Sequence, residues 1–245
     1  MLDELRVLRE AVQRYRAAAV AAGQSWPEAA DTQDAQHPNL DLVYRVFDVD
    51  HVPEQLGWLV TEGWHPTWPC PAGGSLLPWP TDNDTALASL DALSFSVCTP
   101  FHWRHQIPLF QFDRYVYTFV LEGDHKGEIW RYLISPDLWD PLRAASSLAA
   151  LFTEWTKGIA AGVVFYRRFD NRLRVGEPTE TARPFDVLRR QAPDLDPLAF
   201  PIDIPAPFVR ERQREHGVDL DCIDRPECQG ELQDAIYDVG VSLRL

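Results

Sequence analysis

The stretch IPLFQFDRYVYTFVLEGDHKGEIWRY, Ile107 to Tyr132, limits what this chain can fold into more than any other. Aromatic and β-branched residues recur at nearly every second position, the period of an extended strand. Tyr115, Tyr117 and Phe119 fall on one parity, and Val116, Thr118 and Val120 on the other. Both faces are apolar enough to be covered. The break at Glu122 to Gly127 brings two glycines suited to positive φ, and Ile129, Trp130, Tyr132 and Ile134 resume the extended pattern beyond it. The simplest structure is an antiparallel hairpin inside a two-sided sheet.

The flanks alternate irregularly between helical and extended patterns. Leu5, Leu8, Val12, Tyr15 and Ala19 step by three and four between charged residues, predicting an amphipathic helix from Leu2 to Ala22. Residues Gln24 to Asn39 have no period and read as a connector. LVYRVFDV, Leu42 to Val49, reads as a strand. A helix follows, with Pro53 in its first turn, Leu56, Leu59 and Val60 on its apolar face, and Gly63 as its stop. From Trp64 to Pro80, prolines interleaved with tryptophans exclude regular structure. LSFSVC, Leu93 to Cys98, reads as a weak strand.

Asp140 or Ser146 would cap a helix bearing Leu148, Leu151, Phe152, Trp155 and Ile159, which ends at Gly162 and packs on the sheet. GVVFYRRF and RLRV read as a strand and its return about Asp170-Asn171. Beyond Gly176 only short helical patterns stand out, near Phe208 to His216 and Leu232 to Tyr237. The order predicts an α+β fold with a twisted, mainly antiparallel sheet flanked by helices. Its divisions are a helix and connector at 1–40, the α+β domain at 41–176, and a Pro/Asp-rich extension at 177–245 packed on the core.

Thirty-seven acidic against twenty-three basic side chains give a formal charge of -14, which repels a phosphate backbone and argues against direct nucleic-acid binding. The same field speeds encounter with a basic partner. No apolar run approaches a membrane span, and the N-terminus is too charged for a secretory signal, so a cytoplasmic protein is expected. Four cysteines without paired spacing point to reduced thiols.

The motifs of chemistry are weak. Cys98, His102 and His105, with Cys70, supply zinc-type ligands in no structural zinc spacing. Asp48 and Asp50 resemble a magnesium pair but lack a phosphate-cradling loop, and a helix cap is the better role for Asp50. Asp82-Asn-Asp84 lacks the glycine and glutamate of a calcium loop. No nucleophile elbow is present, and Glu62 with His65 or Glu128 with Asp124 are the only acid–base pairs to suggest themselves. No catalytic residue, metal or cofactor is expected; a metal-dependent enzyme using His102, His105, Asp48 or Asp50 is the least favoured reading. Most tryptophans suit a core, Trp130 and Trp155 above all, while Trp68 and Trp79 beside acidic residues suit interface anchors.

PAGGSLLPW at Pro71 to Trp79, FDRYVYTFVLEGDHKGEIWRY at Phe112 to Tyr132, and ASSLAALFTEWTKGIAAGVVFYR at Ala145 to Arg167 together resemble the SUKH superfamily, over roughly Val43 to Val175. The Gly-x-Ile-Trp step after the hairpin, followed by the Ser-Leu-x-x-Leu-Phe helix, is the most specific part. The chain departs from that pattern at Phe112 to Tyr115, which lacks a glycine-rich turn, around Phe101 to Gln106, and beyond Glu177.

The resemblance implies a non-catalytic immunity protein of a polymorphic toxin system. Such a protein neutralises a cognate toxin, often a nuclease, by stoichiometric binding, and the acidic charge here agrees with a basic partner. Acidic and aromatic loop residues would make the contact: Trp79, Asp82, Asp84, Asp113, Tyr115 and Asp124. The alternative is a regulatory scaffold, like the fungal relatives, that recruits a cellular enzyme through the acidic tail.

Overall fold

One antiparallel meander, its central strands buried on both faces, organises the molecule. In the computed structural model, which describes residues 2–26, 38–64, 68–77, 79–94, 103–133, 142–217 and 226–244, five strands lie side by side in chain order. They are β1 (Ser75–Leu76), β2 (Gln106–Phe112), β3 (Tyr115–Val120), β4 (Ile129–Leu133) and β5 (Leu142–Ala145). Every pairing is antiparallel. A separate two-stranded hairpin, β6 (Val164–Arg167) with β7 (Arg172–Val175), turns about Asp170 and Asn171 as the sequence predicts. Asn171 takes the left-handed φ of 54° that such a turn needs.

All six residues of β3 are buried, so the sheet is covered on both faces as its sequence requires. On one face Tyr117 and Phe112 approach to 4.9 Å, and Phe110 meets Trp155 at 5.5 Å. Trp155 belongs to α5 (Leu148–Ala160), whose Ser147 side chain accepts the Ala150 N–H as an N-cap, one residue from the expected Ser146. Tyr15 of α1 (Leu2–Ala21) meets Trp155 at 5.5 Å and Phe152 at 5.8 Å, closing a helix layer over the sheet. Trp64, Trp68 and Trp26 extend this aromatic core. The other face carries a small polar network, in which the buried Gln106 Oε1 accepts from Thr118 at 2.9 Å and Tyr132 at 3.0 Å. Together these elements make an α+β protein.

Several elements differ from their sequence reading. Leu42 to Val49 was expected as a strand, yet it forms α2 (Leu40–Phe47). The buried set Leu42, Val43, Val46 and Phe47 has helical spacing, and Asn39 Oδ1 caps the Asp41 and Leu42 N–H groups. Asp48 ends α2 in the left-handed region, and the cap position of α3 (Glu54–Trp58) belongs to Pro53 instead of Asp50. α3 runs on as a π-helical turn to Gly63, the expected stop. β3 and β4 form the expected hairpin, and a second turn, Asp113-Arg114, adds β2 before it, so the opening stretch folds as three strands.

Leu93 and Ser94 close a helix, α4 (Asn83–Ser94), and the rest of the weak strand expected at 93–98 lies outside the described residues. So do Cys98, His102, His65, Asp140 and most of the connector.

The segment after Gly176 forms α6 (Pro184–Gln191), α7 (Ala206–Glu215) and α8 (Pro226–Arg244). Val187, Leu188, Phe200, Ile236 and Leu243 join the same hydrophobic cluster as α1, α5 and the sheet. Phe200 packs so closely on α5 that a Cβ on Gly158 would sit 2.8 Å from its ring.

Candidate functional site

Between the Asp113-Arg114 turn and the chain after Pro197 lies a cleft of about 370 Å³. Its walls come from distant parts of the sequence: Ala72 in the Pro71–Gly73 turn, Phe112 to Tyr115, Arg174 and Val175 of β7, Arg183 to Phe185 at the start of α6, and Pro201 to Pro205.

Buried side-chain donors hold the last of these walls. The irregular backbone from Leu198 to Ile202 exposes carbonyls that need partners once water is removed. Tyr117 donates to Leu198 O at 3.3 Å and Trp155 to Ala199 O at 2.8 Å. Arg131, 0% exposed, donates to Phe200 O at 3.0 Å and Ile202 O at 3.2 Å. Its guanidinium also lies 4.2 Å from the centre of the Tyr115 ring. The Tyr115 hydroxyl donates to Asp203 Oδ1 at 2.7 Å, an oxygen that also receives Arg114 at 3.3 Å.

The opposite wall needs small residues. Ala72 occupies the left-handed region at φ 54°, uncommon for a residue with a Cβ. A Cβ on Gly74 would fall 2.1 Å from the Phe112 ring, so only glycine lets the PAGG loop close against β2. Across the cleft, Asp170 takes Arg167 Nη2 at 2.7 Å and Arg174 Nε at 2.8 Å, which locks the β6–β7 turn. These two guanidiniums hold the Asp170 carboxyl well below the usual carboxylate range.

Of the six residues expected at an interface, the cleft brings together two, Asp113 and Tyr115. Asp113 is exposed; Tyr115 is 5% exposed, its ring and hydroxyl both engaged. Asp124 is exposed in the turn at the other end of β3, about 20 Å away for six residues of strand. Asp82 and Asp84 are exposed at the start of α4, where Asp82 Oδ1 accepts the Thr85 N–H at 2.9 Å. That bond, with one from the Thr85 hydroxyl, lowers the Asp82 pKa. Trp79 is 5% exposed and belongs to the core, so it offers no anchor to a partner; Trp68 is half-buried among Trp26 and Trp64. Nothing in the spacing of Arg114, Arg174, Arg183 and Asp203 tells that these four separate segments meet, so none of them stands out in the sequence.

A second polar cluster surrounds Glu128, which was paired in the sequence reading with Asp124. Glu128 Oε2 instead meets His125 Nδ1 at 3.1 Å and Trp130 Nε1 at 2.9 Å, while Oε1 accepts Arg143 at 3.1 Å. Three partners on one carboxylate tie the β3–β4 turn to β5. His216, its ring 5.9 Å from that of Trp130, has its pKa lowered chiefly by burial.

Among the described residues no group of three or more His, Cys, Asp or Glu side chains is arranged to hold a metal ion. Cys70 is buried, and burial pushes its thiol pKa up. No helix among the described residues is long and apolar enough to cross a membrane. No protein-family model matches the chain, and no curated protein matches it.

Proposed function

We propose that this chain is a cytoplasmic, non-catalytic immunity protein of the SUKH type, which neutralises a basic toxin by stoichiometric binding. One observation carries the reading: Asp82, Asp84, Asp113 and Asp124 are all exposed, at turns and a helix start of a frame whose central strand is buried on both faces. Acidic groups held on a rigid frame suit fast, oriented capture of a positively charged enzyme, because little order is lost on docking. The formal charge of -14 extends the same field over the molecule. The resemblance of the PAGG loop, the hairpin and α5 to SUKH proteins supplies the toxin as the class of partner.

Co-expression with basic toxin domains tests the reading. Protection is expected from the wild type, and reversing all four aspartates to lysine should weaken it, most visibly at low salt. Full protection by the reversed variant would remove this surface from the account. Failure to protect against any toxin, with retention of a cellular enzyme instead, would favour the regulatory scaffold. Truncation after Gly176 does not separate the two readings, because it strips Val187, Leu188 and Phe200 from the core.

A further inference from the structure

The lining of the cleft beside Asp113 is richer in cations than the chain as a whole. Three guanidiniums line it, those of Arg114, Arg174 and Arg183, against two carboxylates, Asp113 and Asp203. Each arginine already has an internal partner: Arg114 meets Asp203 at 3.3 Å, Arg174 meets Asp170, and Arg183 meets Asp186 at 2.8 Å. A guanidinium carries five N–H donors, so each keeps donors to spare. These contacts also fix where the cations stand. Arg114 and Arg183 remain largely exposed, with side-chain exposures of 48% and 74%.

The backbone adds to the same sign of field. α6 starts at the cleft with Arg183 at its N-cap and Pro184 following, and α7 starts there after Pro205. Neither start is capped by a side-chain hydrogen bond, and helix N-termini favour anions. Between the cations the surface is apolar, formed by Pro184, Phe185 and Ile204, with the buried Phe112 ring behind them. A volume of about 370 Å³ falls in the range of small-ligand sites.

We propose that this cleft binds a small anionic amphiphile, a carboxylate or phosphate ester on a flat apolar group. Its charged end meets Arg114, Arg174 and Arg183, and its apolar body lies on Pro184, Phe185 and Ile204. Such a ligand gains bidentate contacts from the guanidiniums and stacking from the rings, while inorganic phosphate gains only the former and a neutral aromatic only the latter. The inference does not depend on the immunity reading, because it concerns the isolated protein.

Calorimetric titration of the full chain with phenyl phosphate, phenylacetate, phenylacetamide and inorganic phosphate tests it. Saturable binding is expected for at least one of the two aromatic anions, with phenylacetamide and inorganic phosphate much weaker. The R114A/R183A variant should bind that anion about tenfold more weakly, given the strength of charge-assisted hydrogen bonds. R6A, which removes a charge on α1, should leave affinity unchanged. Tighter binding of phenyl phosphate would assign a phosphate ester; tighter binding of phenylacetate would assign a carboxylate, including a polypeptide C-terminus. No saturation by either anion, equal binding of the amide, or unchanged affinity in R114A/R183A would overturn the proposal. Toxin protection is measured separately, so either claim can fail alone.

Discussion

The guanidinium of Arg131 lies 4.2 Å from the ring of Tyr115, and the two side chains together fasten the segment after Pro197 to the sheet. Arg131 takes the carbonyls of Phe200 and Ile202, and Tyr115 takes the carboxylate of Asp203. Phe200, Ile202 and Asp203 of one short stretch are thus held from the sheet beneath.

Replacing Arg131 with methionine keeps most of the volume but strands the buried Ile202 carbonyl, while Phe200 O keeps the Ile202 N–H at 2.9 Å. A loss of about 2 kcal/mol is expected from the one unsatisfied acceptor and the lost bond to Phe200 O. Urea denaturation checks this, and R131K, which keeps the charge without the planar fork, should fall between wild type and R131M.

Gly158 presents two opposing effects. Alanine there would gain about 1 kcal/mol of helix propensity, but its Cβ would lie 2.8 Å from Phe200 and Val164, and overpacking typically costs about 1–3 kcal/mol. Net destabilisation is expected in thermal unfolding. F200L, which removes the ring, should relieve part of the effect of G158A in the double variant, the remainder coming from Val164.

The acid limb of stability should depend on Asp170. Its pKa is lowered in the fold by Arg167 and Arg174, so its contribution is present above the ordinary carboxylate value near 4 and is lost as pH falls. The melting temperature of D170N should lie below wild type at neutral pH, with the gap closing in acid. The alkaline limb has the reverse sign. Burial raises the phenols of Tyr15 and Tyr132, so their contribution is present below the ordinary value near 10 and is lost as pH rises above it. Y132F should flatten that decline, although it also leaves one donor to Gln106 missing.

Asn39 decides the fate of α2. N39A removes the side-chain acceptor for the Asp41 and Leu42 N–H groups and should cost about 1 kcal/mol, read by thermal melting. N39D should retain most of the stability.

These residues also mark what local sequence could convey. The β6–β7 hairpin and α5 were legible because turn chemistry, cap and apolar period agree within each segment. At α2 they conflict: Val43, Val46 and Val49 favour extended backbone, while Asn39 and the spacing of buried residues favour a helix, and tertiary burial of that face prevails. The Asp113-Arg114 turn was missed because it carries neither glycine nor asparagine. For the tail, read as an extension packed on the core, the partners were illegible for a different reason. Its burial depends on Arg131, Trp155 and Gly158, each distant in sequence, and no period within the tail conveys those partners. The cleft is illegible for the same reason, since its arginines come from a turn, a strand and a helix start far apart in sequence. For Trp79, acidic neighbours suggested exposure, but Asp82 and Asp84 belong to the helix start that follows it.

The central claim is neutralisation by stoichiometric binding, and inhibition of a basic toxin domain by the purified chain tests it most directly. Titrating the chain into an active toxin should abolish activity at an equimolar endpoint, and reversing Asp82, Asp84, Asp113 and Asp124 to lysine should blunt that endpoint at low salt. Undiminished toxin activity at large excess of the chain, across the basic toxins of the source cell and its siblings, would contradict the account.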